Sequence, residues 1–219
     1  MSEFLRACEG TLGQTRQIVG PVLIWLLVAA TIGALTEVPV WSAELVATMA
    51  VDPWIGIGQI VSPVVMIMLV VMYVVMLIRT WTQHEHLPFV RLLFGAGATV
   101  VVAIVSFVLQ NTFGKPRPCH LTELGGSCPA ETSFSYPSSF GVIAFALAVG
   151  LTFAMPWLAS LAFPLAILEG VASILAGHQY PHDVFAGAVL GGLGAVGLLY
   201  MFIKVQARVA DSVAASRIH

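Results

Sequence analysis

The feature that most limits what this chain can fold into is a series of long apolar runs. Three of them, Ile18–Leu35, Ile55–Ile78 and Leu92–Leu109, contain no charged residue. A helix that crosses a membrane needs about 20 mostly apolar residues, so each run is close to the length of a span. Charged residues make up 9% of the chain, whereas a soluble domain usually carries about 25%. The sequence therefore excludes a soluble globular protein and predicts an integral membrane protein.

The second half of the chain predicts three further spans. The apolar region Ser138–Ala176 is too long for one span, and Met155-Pro156-Trp157 interrupts it with a proline, which is disfavoured inside a helix. We therefore expect two spans there, Ser138–Ala154 and Trp157–Ala176. The last span, Val184–Ile203, carries a close-packing face of small residues, formed by Gly187, Gly191 and Gly194. The fold class is all-α, a polytopic membrane protein with six transmembrane helices.

The distribution of positive charge predicts the orientation, because cytoplasmic loops are enriched in Lys and Arg. With the N-terminus inside, the inner side holds Arg6, Arg16, Arg79, Arg91, Lys204, Arg208 and Arg217, and the outer side holds Lys115 and Arg117. We therefore expect both termini in the cytoplasm and the protein in a bacterial inner (plasma) membrane. The expected parts are an N-terminal segment, 1–17, a membrane domain, 18–204, and a tail, 205–219.

Polar residues concentrate in three segments on the predicted outer side. These segments are Gln110–Pro118, Tyr136–Phe140 and Gly177–Asp183. Lys115 and Arg117 supply positive charge, while Ser138 and Ser139 stand at a helix start, where backbone N–H groups favour an anion. This pattern indicates a phosphate site. It fits equally well a simpler interpretation, in which the cations contact lipid headgroups and the serines cap a helix.

In this order, and on these helices, the three segments resemble the signature motifs of the type 2 phosphatidic acid phosphatase family of membrane lipid phosphatases. The family motifs read K-x6-R-P, P-S-G-H and S-R-x5-H-x3-D. The run YPHDVFAGAVLGG, from Tyr180 to Gly192, is similar to the family's HYPxDVLAGxxLG. The resemblance implies a lipid-phosphate-phosphatase-like bundle, with a phosphorylated membrane lipid bound in an outward-facing cleft.

The family roles carry over to only some positions. The family residues are retained at Arg117, Ser138 and Asp183. Gln110 stands at the position of the motif-one lysine, and Ser173 at that of the motif-three arginine. Gln179 stands at the position of the family's nucleophilic histidine. In motif two, Ser139 stands at the position of the glycine, and Phe140 at that of the histidine that protonates the leaving group. The phosphate-binding candidates are therefore Arg117, Lys115, Ser138, Ser139, Gln110, Ser173 and Gln179.

These departures remove the family's chemistry. A carboxamide has no nucleophilic nitrogen at neutral pH, and a phenyl ring cannot pass a proton. Losing such a nucleophile typically lowers turnover by about a millionfold. His178, beside Gln179, is the candidate for a relocated nucleophile with Asp183. Two further histidines are His182, directly before Asp183, and His120, two residues after Pro118. One residue along a helix turns a side chain by about 100°, which favours an interfacial hydrogen-bonding role for His178.

Three functions remain open. The favoured one is a protein that binds a phosphorylated lipid in the outward-facing cleft with little or no hydrolysis. The second is an active phosphatase of phosphatidate or polyprenyl (di)phosphate with relocated histidines. The third is a structural subunit of a membrane complex that handles lipid-linked precursors. A membrane-protein partner or a homo-oligomer is compatible with these functions. We expect no cofactor, no metal and, at a net charge of −2 without a basic block, no nucleic acid.

Two further features concern single residues. Cys119 and Cys128 lie in one predicted outer loop with eight residues between them, so we expect a disulfide there and a free thiol at Cys8. Spacing alone leaves the unpaired alternative open. Glu169 lies inside the predicted span Trp157–Ala176, where a carboxylate costs about 2.5–3.5 kcal/mol, and this indicates a functional or hydrogen-bonded role.

Overall fold

The computed structural model describes residues 38–121 and 127–216. The helices in this part are α1 (Val40–Met49), α2 (Trp54–Thr82), α3 (His86–Phe113), α4 (Pro118–Leu121), α5 (Ser139–Ala154), α6 (Ala159–Leu175) and α7 (Pro181–Ser216). A short 3₁₀ turn, Pro156–Leu158, joins α5 to α6. No strand occurs within the described ranges, so the all-α prediction is confirmed for them.

Several helices are suited to a membrane. Among the described residues, four stretches are long and apolar enough to cross one, namely Trp54–Thr82, His86–Leu121, Pro156–Leu175 and Pro181–Lys204. Helix α5 is apolar but has only 16 residues. The predicted span Ile18–Leu35 and the whole segment 1–17 lie outside the described residues. The chain is an integral membrane protein, while six spans, the domain bounds and the cytoplasmic termini stay predictions.

The predicted break between α5 and α6 is confirmed. Helix α5 ends at Ala154, the extended residue Met155 follows with φ −141°, and Pro156 begins the 3₁₀ turn. Proline fits a first helical position because its missing N–H would have no partner there. The structure differs from the prediction in two helices. Helix α7 begins at Pro181, three residues before the predicted start at Val184. Helix α1 was not predicted, because ten residues are too few for a span.

Helix α5 lies at the centre of the described bundle. It packs against α3, α6 and α7, while α2 packs against α6, and α1 touches both α6 and α7. Residues on every side of α5 are buried, including Val142, Ala144, Ala148 and Leu151, which is typical of a helix that is apolar all round. The central helix therefore begins, at Ser138 and Ser139, among the ends of its neighbours.

Small residues bring α7 against the backbone of α5. A Cβ atom on Gly187 would lie 2.6 Å from the carbonyl oxygen of Ser138, and one on Gly191 would overlap the carbonyl of Val142. A Cβ on Gly194 would lie 2.7 Å from a methyl group of Val102 on α3. The predicted glycine face is thus a packing face. It holds the beginnings of α5 and α7 side by side.

A buried carboxyl group joins α2 to α6. The Oε1 atom of Glu169 accepts a hydrogen bond from the Ser62 hydroxyl at 3.1 Å, and the side chain is fully buried. Its Oε2 atom has no hydrogen-bond partner among the described residues. Gly58, one turn before Ser62, lies close to the backbone of α6, so the two helices are in tight contact at this bond. Of the two roles that the sequence left open for Glu169, the hydrogen-bonded one agrees with this geometry.

We predict that Gly191→Ala destabilises the protein, because the added methyl group must displace the Val142 backbone. Overpacking of this kind typically costs about 1–3 kcal/mol. Gly192→Ala is the matched control, since a Cβ there would meet only Phe145, at 4.0 Å. Thermal unfolding of the detergent-purified variants should give a lower Tm for Gly191→Ala alone. Equal Tm values for the two variants would contradict the close contact of α5 and α7.

A second prediction concerns Glu169. Glu169→Gln keeps an acceptor for Ser62 and nearly the same volume, so its Tm should stay near that of the unmodified protein. Glu169→Ala removes the acceptor and leaves a cavity, at a cost of about 1–3 kcal/mol. The comparison separates packing and hydrogen bonding from a need for an acidic group. If Glu169→Gln were as unstable as Glu169→Ala, the acidic group itself would be needed, and packing with the Ser62 hydrogen bond would not be enough to explain the role of Glu169.

Candidate functional site

The three polar segments meet where α3 ends and where α5 and α7 begin. The Gln110 side-chain N–H donates to the Ser139 hydroxyl at 2.6 Å, which joins α3 to α5. The Ser138 N–H donates to the Asp183 carbonyl at 3.1 Å, which joins α5 to α7. Arg117 donates to the loop before α7. The structure thus brings the three segments together around one set of side chains.

The guanidinium group of Arg117 is buried and paired within the protein. Nε donates to the Ser133 carbonyl at 2.9 Å, Nη2 to the Ser133 hydroxyl at 2.8 Å, and Nη1 to the His178 carbonyl at 3.0 Å. The Gln179 amide has one orientation in which both its oxygen and its nitrogen have hydrogen-bond partners. In that orientation the amide oxygen accepts from Nη1 at 2.6 Å. Four of the five N–H donors of the arginine are therefore bound to protein oxygens.

Gln179 connects this arginine to the next loop. In the same orientation its amide nitrogen donates to the Ser135 carbonyl at 2.8 Å. The side chain is 2% exposed, so both ends of the amide are used inside the protein. A buried amide without partners would be costly, and these two bonds remove that cost. Gln179 therefore bridges Arg117 and Ser135.

The carboxylate of Asp183 is fully buried and also engaged. Its Oδ2 atom accepts hydrogen bonds from the Ser135 hydroxyl and, at 3.3 Å, from the Tyr180 N–H. Its Oδ1 atom lies 3.0 Å from Nε2 of His182, whose Nδ1 atom lies 2.9 Å from the Ser42 hydroxyl. Asp183 thus faces His182 and connects, through that ring, to helix α1.

Two tyrosines surround this carboxylate. Burial raises the pKa of Tyr136 and of Tyr180, and the negative charge of Asp183 raises both further. The ring of His182 stacks near both of them, with centroids 6.3 Å and 5.5 Å away. Both phenols are therefore neutral at physiological pH, and neither supplies a base.

The ring of His178 is directed to the neighbouring loop. Its Nε2 atom lies 3.0 Å from the Ser127 carbonyl, so this nitrogen carries a proton and donates it. Burial lowers the pKa of His178, the bond to Ser127 raises it, and the charge of Arg117 lowers it again. The side chain of His178 is therefore directed to Ser127, while the backbone carbonyl of the same residue accepts from Arg117.

The remaining candidates also make contacts within the protein. The Ser138 hydroxyl accepts from the Gly141 N–H at 3.2 Å, which caps α5, and the Ser173 hydroxyl donates to the Gly170 carbonyl at 2.8 Å. Lys115 Nζ stands 4.9 Å from the centre of the Tyr136 ring. The capping interpretation of Ser138 therefore agrees with its geometry.

Phe140 follows this cap on the first turn of α5. It is 44% exposed, whereas Gly141 and Val142 beyond it are buried. Its ring therefore lies on the outer surface of the bundle and adds no polar group to the site.

The two outer cysteines are bonded to each other. Cys119 and Cys128 form a disulfide with Cα atoms 5.8 Å apart, as predicted, and Cys8 lies outside the described residues. A ring nitrogen of His120 lies 3.4 Å from the sulfur of Cys128, so these three residues also have the proximity of metal ligands. Sulfur binds metals as thiolate, which the disulfide does not provide.

Several residues of the site were not predicted. Ser133 and Ser135 lie between the polar segments Gln110–Pro118 and Tyr136–Phe140, and their spacing gives no signal that they would reach Arg117 and Asp183. Ser42 lies on α1, which is not a predicted span, and its contact with His182 joins residues 140 positions apart. The general signal was the density of polar residues in an otherwise apolar chain.

Comparison with known proteins agrees with this architecture. A crystal structure of "the first transmembrane PAP2 type phosphatidylglycerolphosphate phosphatase from Bacillus subtilis" is similar, with a TM-score of 0.59 and 18% sequence identity. The match covers 87% of this chain and 96% of that one, and at this identity it shows the fold alone. No curated protein sequence matches the chain. The family model of the PAP2 superfamily matches residues 88–207, more than half of the chain, and the chain belongs to that superfamily.

Proposed function

We propose that this lipid-phosphatase-like membrane protein binds a phosphorylated lipid weakly and does not hydrolyse it. The observation that carries the proposal is Gln179 at the position of the family's nucleophilic histidine. Its amide is committed at both ends, to Arg117 at 2.6 Å and to Ser135 at 2.8 Å. A carboxamide neither attacks phosphorus nor titrates near neutral pH.

The positive charge of the family's phosphate site is reduced as well. Gln110 and Ser173 replace two of its three cations, and both side chains hydrogen-bond to neighbouring protein groups. Phosphoryl transfer depends on positioning and on charge stabilisation of the transferred group. Arg117 is retained, but four of its donors already have partners. These contacts support weak anion binding rather than turnover.

The geometry also argues against relocated histidines. A general acid must reach the leaving oxygen, and Phe140, at the family's position for it, carries no proton to transfer. Both ring nitrogens of His182 face protein atoms, at Ser42 and Asp183. Nε2 of His178 donates to Ser127 instead of facing Asp183. The ring of His182 faces Asp183 but its other nitrogen is used by Ser42, and the ring of His178 does not face Asp183, so neither ring combines contact with Asp183 and a nitrogen open to substrate.

The ligand class follows from the family and from the retained arginine. The family resemblance implies a phosphorylated lipid, and the similar protein from Bacillus subtilis is named as a phosphatase of phosphatidylglycerolphosphate. Arg117 is the residue here that matches the motif-one arginine. We therefore propose a lipid phosphate as the ligand, bound on the outer face of a bacterial plasma membrane with both termini in the cytoplasm.

The predicted result is an absence of phosphate release. The purified protein would be incubated with EDTA and short-chain phosphatidate, phosphatidylglycerophosphate or a polyprenyl diphosphate. Release should not exceed that of Arg117→Ala, while a superfamily enzyme with complete motifs serves as the positive control. Gln179→His alone should also stay inactive, because Phe140 cannot protonate the leaving group and Ser173 cannot hold the phosphate.

One outcome of this assay would establish the alternative enzyme. It is hydrolysis by the unmodified protein that His178→Ala abolishes and that His84→Ala, on the loop before α3, leaves intact. That result would identify His178 as a relocated nucleophile and the protein as an active phosphatase.

A further inference from the structure

One residue supplies both oxygens that pair with an edge of Arg117. The Nε and Nη2 atoms form the edge of a guanidinium group that binds two phosphate or carboxylate oxygens in parallel. Here the carbonyl and hydroxyl oxygens of Ser133 accept from these two nitrogens at 2.9 Å and 2.8 Å. Ser133 therefore takes the place that two oxygens of a phosphate would take.

Ser133 belongs to a segment that is tied down at its beginning. We call residues 127–135 the strap. The Ser127 carbonyl accepts hydrogen bonds from His178 and from Gln59, both at 3.0 Å. The next residue, Cys128, is bonded covalently to Cys119, two positions after Arg117. The start of the strap is thus attached to the loop before α7, to α2 and to the arginine's own segment.

The end of the strap is tied as well. The Ser135 N–H donates to the Lys115 carbonyl at 2.8 Å, its carbonyl accepts from Gln179 at 2.8 Å, and its hydroxyl donates to Asp183. Ser135 is fully buried. Between these two anchored ends the chain passes Arg117 at Ser133.

We propose that the strap is an autoinhibitory element, in which Ser133 occupies the phosphate-binding edge of Arg117. This inference rests on the proposed function and adds its regulation. When the strap is displaced, the same edge accepts two oxygens of a phosphate group, whether that group belongs to a lipid headgroup or to free phosphate.

The exchange of Ser133 for phosphate is a competition between two sets of hydrogen bonds. Arg117 is 9% exposed, so its donors need partners in either state. Bonds to a phosphate are charge-assisted and stronger than bonds to the neutral oxygens of Ser133. The strap competes from within the same molecule, however, at a high effective concentration. Weakening its anchors should therefore shift the population toward the open site and raise the apparent affinity.

Binding of a fluorescent short-chain phosphatidate to the full-length protein in detergent tests the inference. Ser133→Ala removes one of the two competing oxygens, and the double variant Cys119→Ser/Cys128→Ser releases one anchor while leaving Ser133 unchanged. Ser133→Ala should bind about tenfold more tightly than the unmodified protein, as expected for the loss of one bond to a charged group. The double cysteine variant should also bind more tightly, because a strap with one anchor fewer competes less effectively for Arg117. Thr132→Ala, at an exposed neighbouring position of the strap, is the matched control and should leave binding unchanged.

Two further arms locate the site and identify the source of the phosphate. Adding Arg117→Ala to Ser133→Ala should abolish the gain. Inorganic phosphate should compete with the probe if the phosphate group alone is recognised, and should fail to compete if the lipid chain is also required. Both results are compatible with the strap, because they differ only in the ligand that carries the phosphate.

The inference is overturned if neither strap variant binds more tightly, or if the gain survives Arg117→Ala. Measuring Tm for each variant ensures that a folded protein is compared. Failure of the proposed function is a separate result, since it would appear as phosphate release by the unmodified protein. Tighter binding without hydrolysis would support both.

Discussion

The structure of the site depends on the pairing of one buried guanidinium group. Arg117 cannot lose its charge, and a buried charge without partners would be far too costly. Its hydrogen bonds to Ser133, His178 and Gln179 therefore bring three stretches of chain together. The loop before α5 and the loop before α7 are both positioned by this requirement. The contact of α7 with α5 at Gly191 then holds these helix starts together.

The polar residues that depart from the family motifs share one property, which is that their polar groups hydrogen-bond within the protein. An active site leaves donors unpaired for its substrate, whereas Gln179 and Gln110 each find partners within this protein. Asp183 retains its buried place and interacts with Ser135 and the His182 ring. The polar groups of the site thus stabilise the fold without a ligand, and a phosphate would have to replace existing bonds.

The sequence was sufficient for features that depend on local pattern. The break at Pro156 and the glycine face of α7 could be predicted because backbone chemistry and helical spacing determine them. The strap could not be predicted, since nothing in the spacing of Ser133 and Ser135 indicates that their oxygens reach Arg117 and Asp183. Convergence of the three motifs was predictable only because they share a membrane face and resemble a known family. Helix α1 was not predicted because its ten residues are too few to cross a membrane.

The fold can be stable with Phe140 and Gln179 at the positions of the family's histidines, because its stability lies elsewhere. The centre of the bundle is the apolar helix α5, packed against α3, α6 and α7, and none of its core residues takes part in the family's chemistry. The site lies at the ends of these helices, so substitutions there must satisfy local hydrogen bonds but need not preserve the core. A site that pairs its own polar groups is more stable than one that awaits a ligand, at the expense of affinity. The closed arrangement around Arg117 therefore fits the proposal of a protein that keeps the packing of the superfamily without its turnover.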